Sequence, residues 1–200
     1  MSMLLSKAKE HGFAIVGINN TFTSTGAIGY YAEKIAKEGL IGYVFAGSPP
    51  TVTTHGSYQP LFGTNPLAIG IPSTTTPIVL DMATAAMAFF GLVQASLAGE
   101  SIPNNVAYDE DGNLTTDPNK GMDGSILPFD RSYKGAGLAL INEVLTGVLT
   151  SASFVGINAT SGWGNVMYAI DPELLGDRKE FAQKVTQLIE VVKNAKKLPG

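Results

Sequence analysis

Four places in the chain carry residue types that could hold or change a small molecule. The first is the run Thr23, Ser24, Thr25 and Gly26, which stands where a helix is expected to begin. Backbone N–H groups at a helix start lack partners and point outward, and the helix dipole favours an anion there. A nucleotide phosphate suits that chemistry, and so does plain capping by Ser or Thr. The second is Asp81, which ends IVLD and precedes another expected helix. A carboxylate at a strand end can accept hydrogen bonds from a ribose or a substrate, or it can cap the helix. The third is Lys134 in DRSYKG, residues 130–135. A lysine at a helix start opposes the dipole and calls for an anion, either a cofactor or a substrate carboxylate, with a surface ion pair as the alternative. The fourth is His55, a candidate general acid in a Gly/Pro-rich loop. His11, at a helix end, reads as solvated. Trp163, between two glycines, reads as pocket lining, an interface residue or a core anchor.

Other chemistries are not supported. There is no GxGxxG and no Walker motif, so the common phosphate loops are absent. No HxH or HExxH spacing supports a metal site, and no GxSxG elbow supports a serine nucleophile. The sequence has no cysteine, which removes disulfides, zinc–thiolate sites and thiol nucleophiles. With 13 Lys+Arg against 17 Asp+Glu, the net charge of −4 argues against a nucleic-acid partner. No apolar run approaches the roughly 18 residues of a spanning helix, and residues 1–10 lack the apolar core of a signal peptide. A cytoplasmic protein with no membrane partner is the expectation. Charged residues make up 15% of the 200, which is low and points to surface buried in the fold or against a partner.

Several elements must position these residues. A helix is expected over residues 2–11, stopped by Gly12, then a strand over 13–18 and a polar loop over 19–26. An amphipathic helix over 27–38 and a strand over 40–46 follow, which together suggest a βαβ unit with parallel strands. Residues 47–66 read as loop, and 67–71 and 78–81 as short strands. Residues 83–97 read as a nearly uncharged helix, buried in a core or an interface. A hairpin around DEDG is expected over 106–116, an apolar helix carrying Glu143 over 133–149, and a strand over 165–170. Asp171 and Pro172 read as a helix start, with an apolar stripe at Phe181, Val185, Leu188, Ile189 and Val192 further on. The pattern implies a mixed α/β, α+β-like fold with a predominantly antiparallel or mixed sheet and flanking helices. These residues alone support a mixed α/β protein with a candidate nucleotide site.

Several segments together resemble one family. They are GLIG at 39–42, SPP at 48–50, FGTNPLAIGIP at 62–72, IVLDMAT at 78–84, IP at 102–103, DEDGNLTTDP at 109–118 and YKGAGLALINEVLTGVLT at 133–150. In this order they are similar to the malate/L-lactate dehydrogenase family of non-Rossmann NAD(P)-dependent oxidoreductases, which includes ureidoglycolate, sulfolactate and diketogulonate dehydrogenases and cyclic ketimine reductases. The resemblance implies hydride transfer between NAD or NADP and a 2-hydroxy/2-oxo acid or cyclic ketimine, in a homodimer. It implies cofactor contacts at Ser24, Thr25, Gly26, Ser48, Asp81, Met82, Ala83, Tyr133, Lys134, Pro199 and Gly200, and a substrate contact at Thr64. It also implies that residues 1–200 form a single cofactor-binding core region. The family's amino-terminal helical part, with a Ser-His-Gly motif and an arginine, and its carboxy-terminal tail have no counterpart in these residues. Many members have His-Phe-Gly where Ser24, Thr25 and Gly26 stand, serine where Ala85 stands, and smaller or polar residues at Phe89 and Phe90. The alternative to an active oxidoreductase is therefore an inactive dinucleotide-binding or dimerisation module.

Overall fold

The computed structural model describes residues 1–156 and 162–198, so Pro199 and Gly200 lie outside the described residues. In chain order the elements begin with α1 (Ser2–His11), β1 (Phe13–Thr21), α2 (Gly29–Lys37), β2 (Ile41–Ala46), β3 (Val52–Thr53) and β4 (Pro60–Phe62). Next come β5 (Leu67–Ile71), β6 (Ile78–Met82), α3 (Phe89–Ala98), β7 (Ala107–Tyr108), β8 (Leu114–Thr115), α4 (Pro118–Asp123) and β9 (Ser125–Ile126). The chain ends with α5 (Tyr133–Glu143), a π-helical turn (Val144–Val148), β10 (Trp163–Ile170), a 3-10 turn (Pro172–Leu174) and α6 (Arg178–Lys193).

Among the described residues the strands form two sheets. The first has the order β1-β10-β2-β5-β6 and is antiparallel at every pairing. Alternation along its strands turns Ala14, Val44, Ala68, Met167 and Ala169 toward one face. There they pack under Leu4 and Ala8 of α1 and Ala32 and Ile35 of α2. The second sheet has the order β4-β3-β9-β7-β8, with one parallel pairing, β3 with β9. Its core joins Val52, Phe62, Leu92, Val106, Ile126 and Ala139. The architecture is the mixed, mainly antiparallel one expected.

Helix α2 can lie on the first sheet only because Gly70 has no side chain. A Cβ there would fall 2.1 Å from the carbonyl oxygen of Ala32, a backbone atom with nowhere to go. Gly70→Ala is expected to destabilise the fold by about 3 kcal/mol or more, read as a fall in thermal unfolding midpoint. A midpoint within a degree of the parent would refute this packing.

Asp171, buried at the end of β10, caps the 3-10 turn by accepting from the Glu173 N–H at 3.0 Å. It also accepts from Arg178 Nε at 3.1 Å and forms an ion pair with Nη2. Burial pushes its carboxyl up, but donation by Arg178 and the Glu173 N–H outweigh burial and hold it below the usual carboxylate range. A value lowered on folding gives stability that is whole above the ordinary carboxylate value and is lost as pH falls through the lowered one. Asp171→Asn is expected to cost about 1–2 kcal/mol at neutral pH, Arg178 being partly solvated, and to flatten the acid limb of the stability profile. Parallel acid limbs for the two proteins would contradict it.

Several expectations need correction. Strands β1 and β2 do run parallel, but they do not pair: β10 lies between them, antiparallel to both. Residues 47–66 are not only loop, since β3 and β4 lie there. The helix expected from residue 83 starts at Phe89, because Thr84 and Ala86 are tied by backbone bonds to Thr64 and Leu127. It is not buried either: Leu92 is its one buried residue, and Phe90 and Leu97 are 66% and 84% exposed. The apolar helix from Tyr133 is regular only to Glu143 and then widens into the π-turn. Asp171 begins only a 3-10 turn, and α6 starts afresh with Asp177 capping the Glu180 N–H. The stripe on α6 has no fully buried residue.

Candidate functional site

Ser48 and Thr64 begin the site. Ser48 leaves the end of β2 in Ser-Pro-Pro, and the two prolines, lacking N–H groups, stop further pairing. Gly47 N–H donates to Gly164 O at 2.8 Å and anchors this exit to β10. Thr64 lies between β4 and β5, and its hydroxyl is 3.4 Å from that of Ser48. Its carbonyl accepts twice from Thr84, from the N–H at 2.9 Å and from Oγ1 at 3.0 Å. Both hydroxyls open on a cavity of about 640 Å³.

Three other segments complete its wall. Residues 22–26 follow β1, whose register with β10 shifts between Ile18 and Thr21, where Asn20 takes a positive φ of 56°. Ala83 follows β6, and Ala88, Phe89 and Phe90 lead into α3. Trp163 closes the side formed by β10. The lining is apolar with hydroxyls at Thr23, Ser24, Thr25, Ser48, Thr51 and Thr64, and among the described residues it contains no titratable side chain. Its volume lies in the range of small-molecule pockets, roughly 300–1,000 Å³.

The loop carrying Thr64 is held from below by a buried polar cluster. Asn65, with a φ of 35°, donates from Nδ2 to Ala139 O at 3.2 Å and to Glu143 Oε2 at 2.8 Å. Asn142 Nδ2 donates to Asn65 O at 2.7 Å and to Pro66 O at 3.0 Å. Thr146 Oγ1 donates to Asn142 O at 2.9 Å across the start of the π-turn. The Val155 N–H donates to Glu143 Oε1 at 2.9 Å, which ties the segment before β10 to the same carboxylate. Asn65 Oδ1 is buried without a hydrogen-bond partner among the described residues. A smaller cavity of about 260 Å³ borders this cluster and shares Gly47, Ser48 and Trp163 with the larger one.

Of the expected contacts, Ser24, Thr25, Gly26, Ser48, Thr64 and Ala83 come together around the larger cavity. Neither reading of the helix start near Ser24 holds, because α2 begins at Gly29 and its mouth is closed by Asp81, whose Oδ2 accepts from Gly29 N–H at 2.8 Å. A carboxylate thus sits where a phosphate was expected, and Asp81 caps α2, not the helix that follows it. Asp81 and Met82 are outside the lining, as are Tyr133 and Lys134 at the start of α5. That start is capped by Ser132 and by Asp130, which the Ser132 hydroxyl and nearby N–H groups hold below its usual range. Lys134 is exposed and in no ion pair among the described residues, so the surface salt bridge is absent. His55 is exposed and stacks edge-on against Tyr133, with ring centroids 6.4 Å apart, away from the cavity lining. His11 is solvated at the end of α1. Sequence reasoning missed Gly63, Asn65, Thr84 and Asn142. The one available signal was the pair Asn142 and Glu143, two polar residues inside a helix otherwise free of them after Lys134.

The family model for malate/L-lactate dehydrogenase matches residues 1–200. The L-sulfolactate dehydrogenase of Methanothermobacter thermautotrophicus is 40% identical, over 98% of this chain and 59% of that protein. The (2R)-3-sulfolactate dehydrogenase (NADP(+)) of Chromohalobacter salexigens is 36% identical, over 85% of this chain and 53% of that protein. The crystal structure of delta1-piperideine-2-carboxylate reductase from Pseudomonas syringae pv. tomato superimposes with a TM-score of 0.87 at 33% identity, covering 100% of this chain and 63% of that one. The chain therefore spans less than two thirds of the length of these relatives.

Proposed function

The chain belongs to the malate/L-lactate dehydrogenase family, and on that premise we propose that it is the cofactor-binding core of an NAD(P)-dependent oxidoreductase acting on a 2-hydroxy/2-oxo acid or a cyclic ketimine. The observation that carries this reading is the convergence of Ser24, Thr25, Gly26, Ser48, Thr64 and Ala83 on one cavity of about 640 Å³. The residues fit a nicotinamide end: Phe22, Phe89, Phe90 and Trp163 offer apolar walls to a flat ring, and hydroxyls can meet its polar edge. When bound, the reduced cofactor supplies the hydride. The chain's part is to bind, orient and exclude water. Thr64 and Ser48 present hydroxyl donors for the carbonyl or carboxylate of the substrate, held in place by Thr84 and Asn65. Asp81, Met82, Tyr133 and Lys134 extend the cofactor contacts along the surface from this cavity, and Pro199 and Gly200, which lie outside the described residues, are further cofactor contacts. Residues 1–200 act as one core region, in a cytoplasmic homodimer whose contact uses exposed apolar side chains such as Phe90 and Leu97.

Because the described residues of the lining include no titratable group, the proton that accompanies the hydride is not assigned to any of them. That observation favours a second reading, a module that binds dinucleotide or dimerises without turnover. Titration with NADPH is expected to change cofactor fluorescence saturably under both dinucleotide-binding readings. Oxidation of NADPH with oxaloacetate, pyruvate or a cyclic ketimine separates turnover from binding alone. Lys134→Ala is expected to weaken NADPH binding about tenfold by removing an exposed cation from a phosphate. Unchanged affinity removes Lys134 from the site, and absence of saturable binding by the parent protein removes the dinucleotide reading.

A further inference from the structure

The larger cavity exceeds what one flat ring needs: a ring the size of benzene fits in roughly 150 Å³, against about 640 Å³ here. Its walls differ in chemistry. The hydroxyls stand on residues 23–25, 48, 51 and 64, whereas the wall that follows β6 is made of Ala83, Ala88, Phe89 and Phe90. That wall is fixed relative to Thr64. Thr84 donates twice to the Thr64 carbonyl, and the Ala86 N–H donates to Leu127 O at 2.8 Å, so the segment leading into α3 is tied both to the site loop and to the chain just after β9. Phe89 packs against the core of the second sheet. Phe90 meets it edge-on, with ring centroids 6.3 Å apart and planes at 80°, yet stays 66% exposed. Phe22, also in the lining, is 70% exposed. Aromatic surface left in water on a cavity wall is stabilised when an apolar group covers it. The same surface disfavours an anion. A ring face carries the negative end of its quadrupole, and it offers no hydrogen bond in exchange for the water that an anion gives up.

We propose that Phe89 and Phe90 are specificity-determining residues, selecting a substrate with one carboxylate and an uncharged hydrocarbon side chain over one whose side chain ends in a second carboxylate or a sulfonate. The proposal rests on the oxidoreductase reading and narrows its substrate to a monoanion. The hydroxyls of Thr64 and Ser48 serve the single carboxylate and the keto oxygen, and the two phenylalanines cover the hydrocarbon. This selectivity separates the chain from the two sulfolactate dehydrogenases it resembles, because sulfolactate carries two anionic groups.

2-Oxohexanoate and 2-oxoglutarate test it, being acids of similar length whose side chains end in hydrocarbon and in carboxylate. Each is titrated calorimetrically into the protein alone and into the protein saturated with NADP+, which occupies the cofactor site without reducing the acid. 2-Oxohexanoate is expected to bind about tenfold tighter or more. Phe90→Arg is expected to reverse the order and Phe90→Leu to keep it. Leu175→Arg adds the same charge at a fully exposed residue outside the lining and is expected to leave the order unchanged. Equal affinities, tighter binding of 2-oxoglutarate by the parent protein, binding of neither acid, or a folded Phe90→Arg protein with the parent's order overturns the proposal. If Phe90→Arg does not fold, the parent's preference and its severalfold decline in Phe90→Ala decide together. The NADPH titration keeps the two readings apart. NADPH binding with no preference between the acids sinks the selectivity alone, and a preference without NADPH binding sinks the dinucleotide reading alone.

Discussion

Gly63→Ala is expected to reduce NADPH affinity by about a hundredfold while the far-ultraviolet circular dichroism stays that of the parent. A Cβ on Gly63 would lie 2.2 Å from Ser48 Oγ, 2.4 Å from Ser48 O and 2.7 Å from Asn65 Oδ1. None of the three can yield freely. The Ser48 carbonyl sits between the Gly47 anchor on β10 and two prolines, and Asn65 is held by Ala139 and Glu143. Relief must therefore move Ser48 or Thr64, the two hydroxyls that face the larger cavity. The cores of both sheets lie elsewhere, so secondary structure survives. Affinity within twofold of the parent would mean that the two hydroxyls do not set binding, and the assignment of this cavity would fail.

Loss of the Asn65 side chain is expected to destabilise the fold as strongly as Gly70→Ala. Asn65→Ala deletes the donor to Ala139 O and Glu143 Oε2, leaving a buried carboxylate with one N–H partner. It also places alanine at a φ of 35°, where asparagine is tolerated better than most residues. The expected cost is about 3 kcal/mol or more, or about 10 °C in unfolding midpoint for a chain of this size. Asn65→Asp is worse, because it sets two carboxylates against each other. Combining it with Glu143→Gln restores a donor and an acceptor in reversed order and is expected to recover part of the loss. A double variant no more stable than Asn65→Asp alone would show that this pair does not hold the loop.

Much of the local structure was legible in the residues. The positions of α1, β5, β6 and the DEDG hairpin follow from local signals: a glycine stop, apolar runs of strand length and a tight turn. The mixed, mainly antiparallel character was legible too, because alternating strand and helix held only at the start of the chain. Two segments were misread for opposite reasons. Residues 83–88 have helical composition, yet backbone bonds to Thr64 and Leu127 from distant parts of the chain hold them out of a helix. Residues 47–66 look like loop, yet β3 and β4 form there because β9 supplies a partner about 70 residues later.

The candidate site divides along the same line. Motifs were enough to single out Ser48, Thr64 and Ala83, since each stands in a short run whose order along the chain is distinctive, and Ser24 was singled out by its hydroxyl-rich loop before an expected helix. Their meeting around one cavity was not readable from any of those runs. It depends on β10 entering between β1 and β2, which brings Trp163 and Gly164 against Gly47 and Ser48. The capping of α2 by Asp81 needed β6 beside β5, and the Glu143 cluster needed α5 laid under the loop of Asn65. Local pattern records what a residue prefers of its immediate neighbours. A partner supplied 50 to 80 positions away leaves no periodic trace, so its identity is decided only when the sheets pair and the helices close over them.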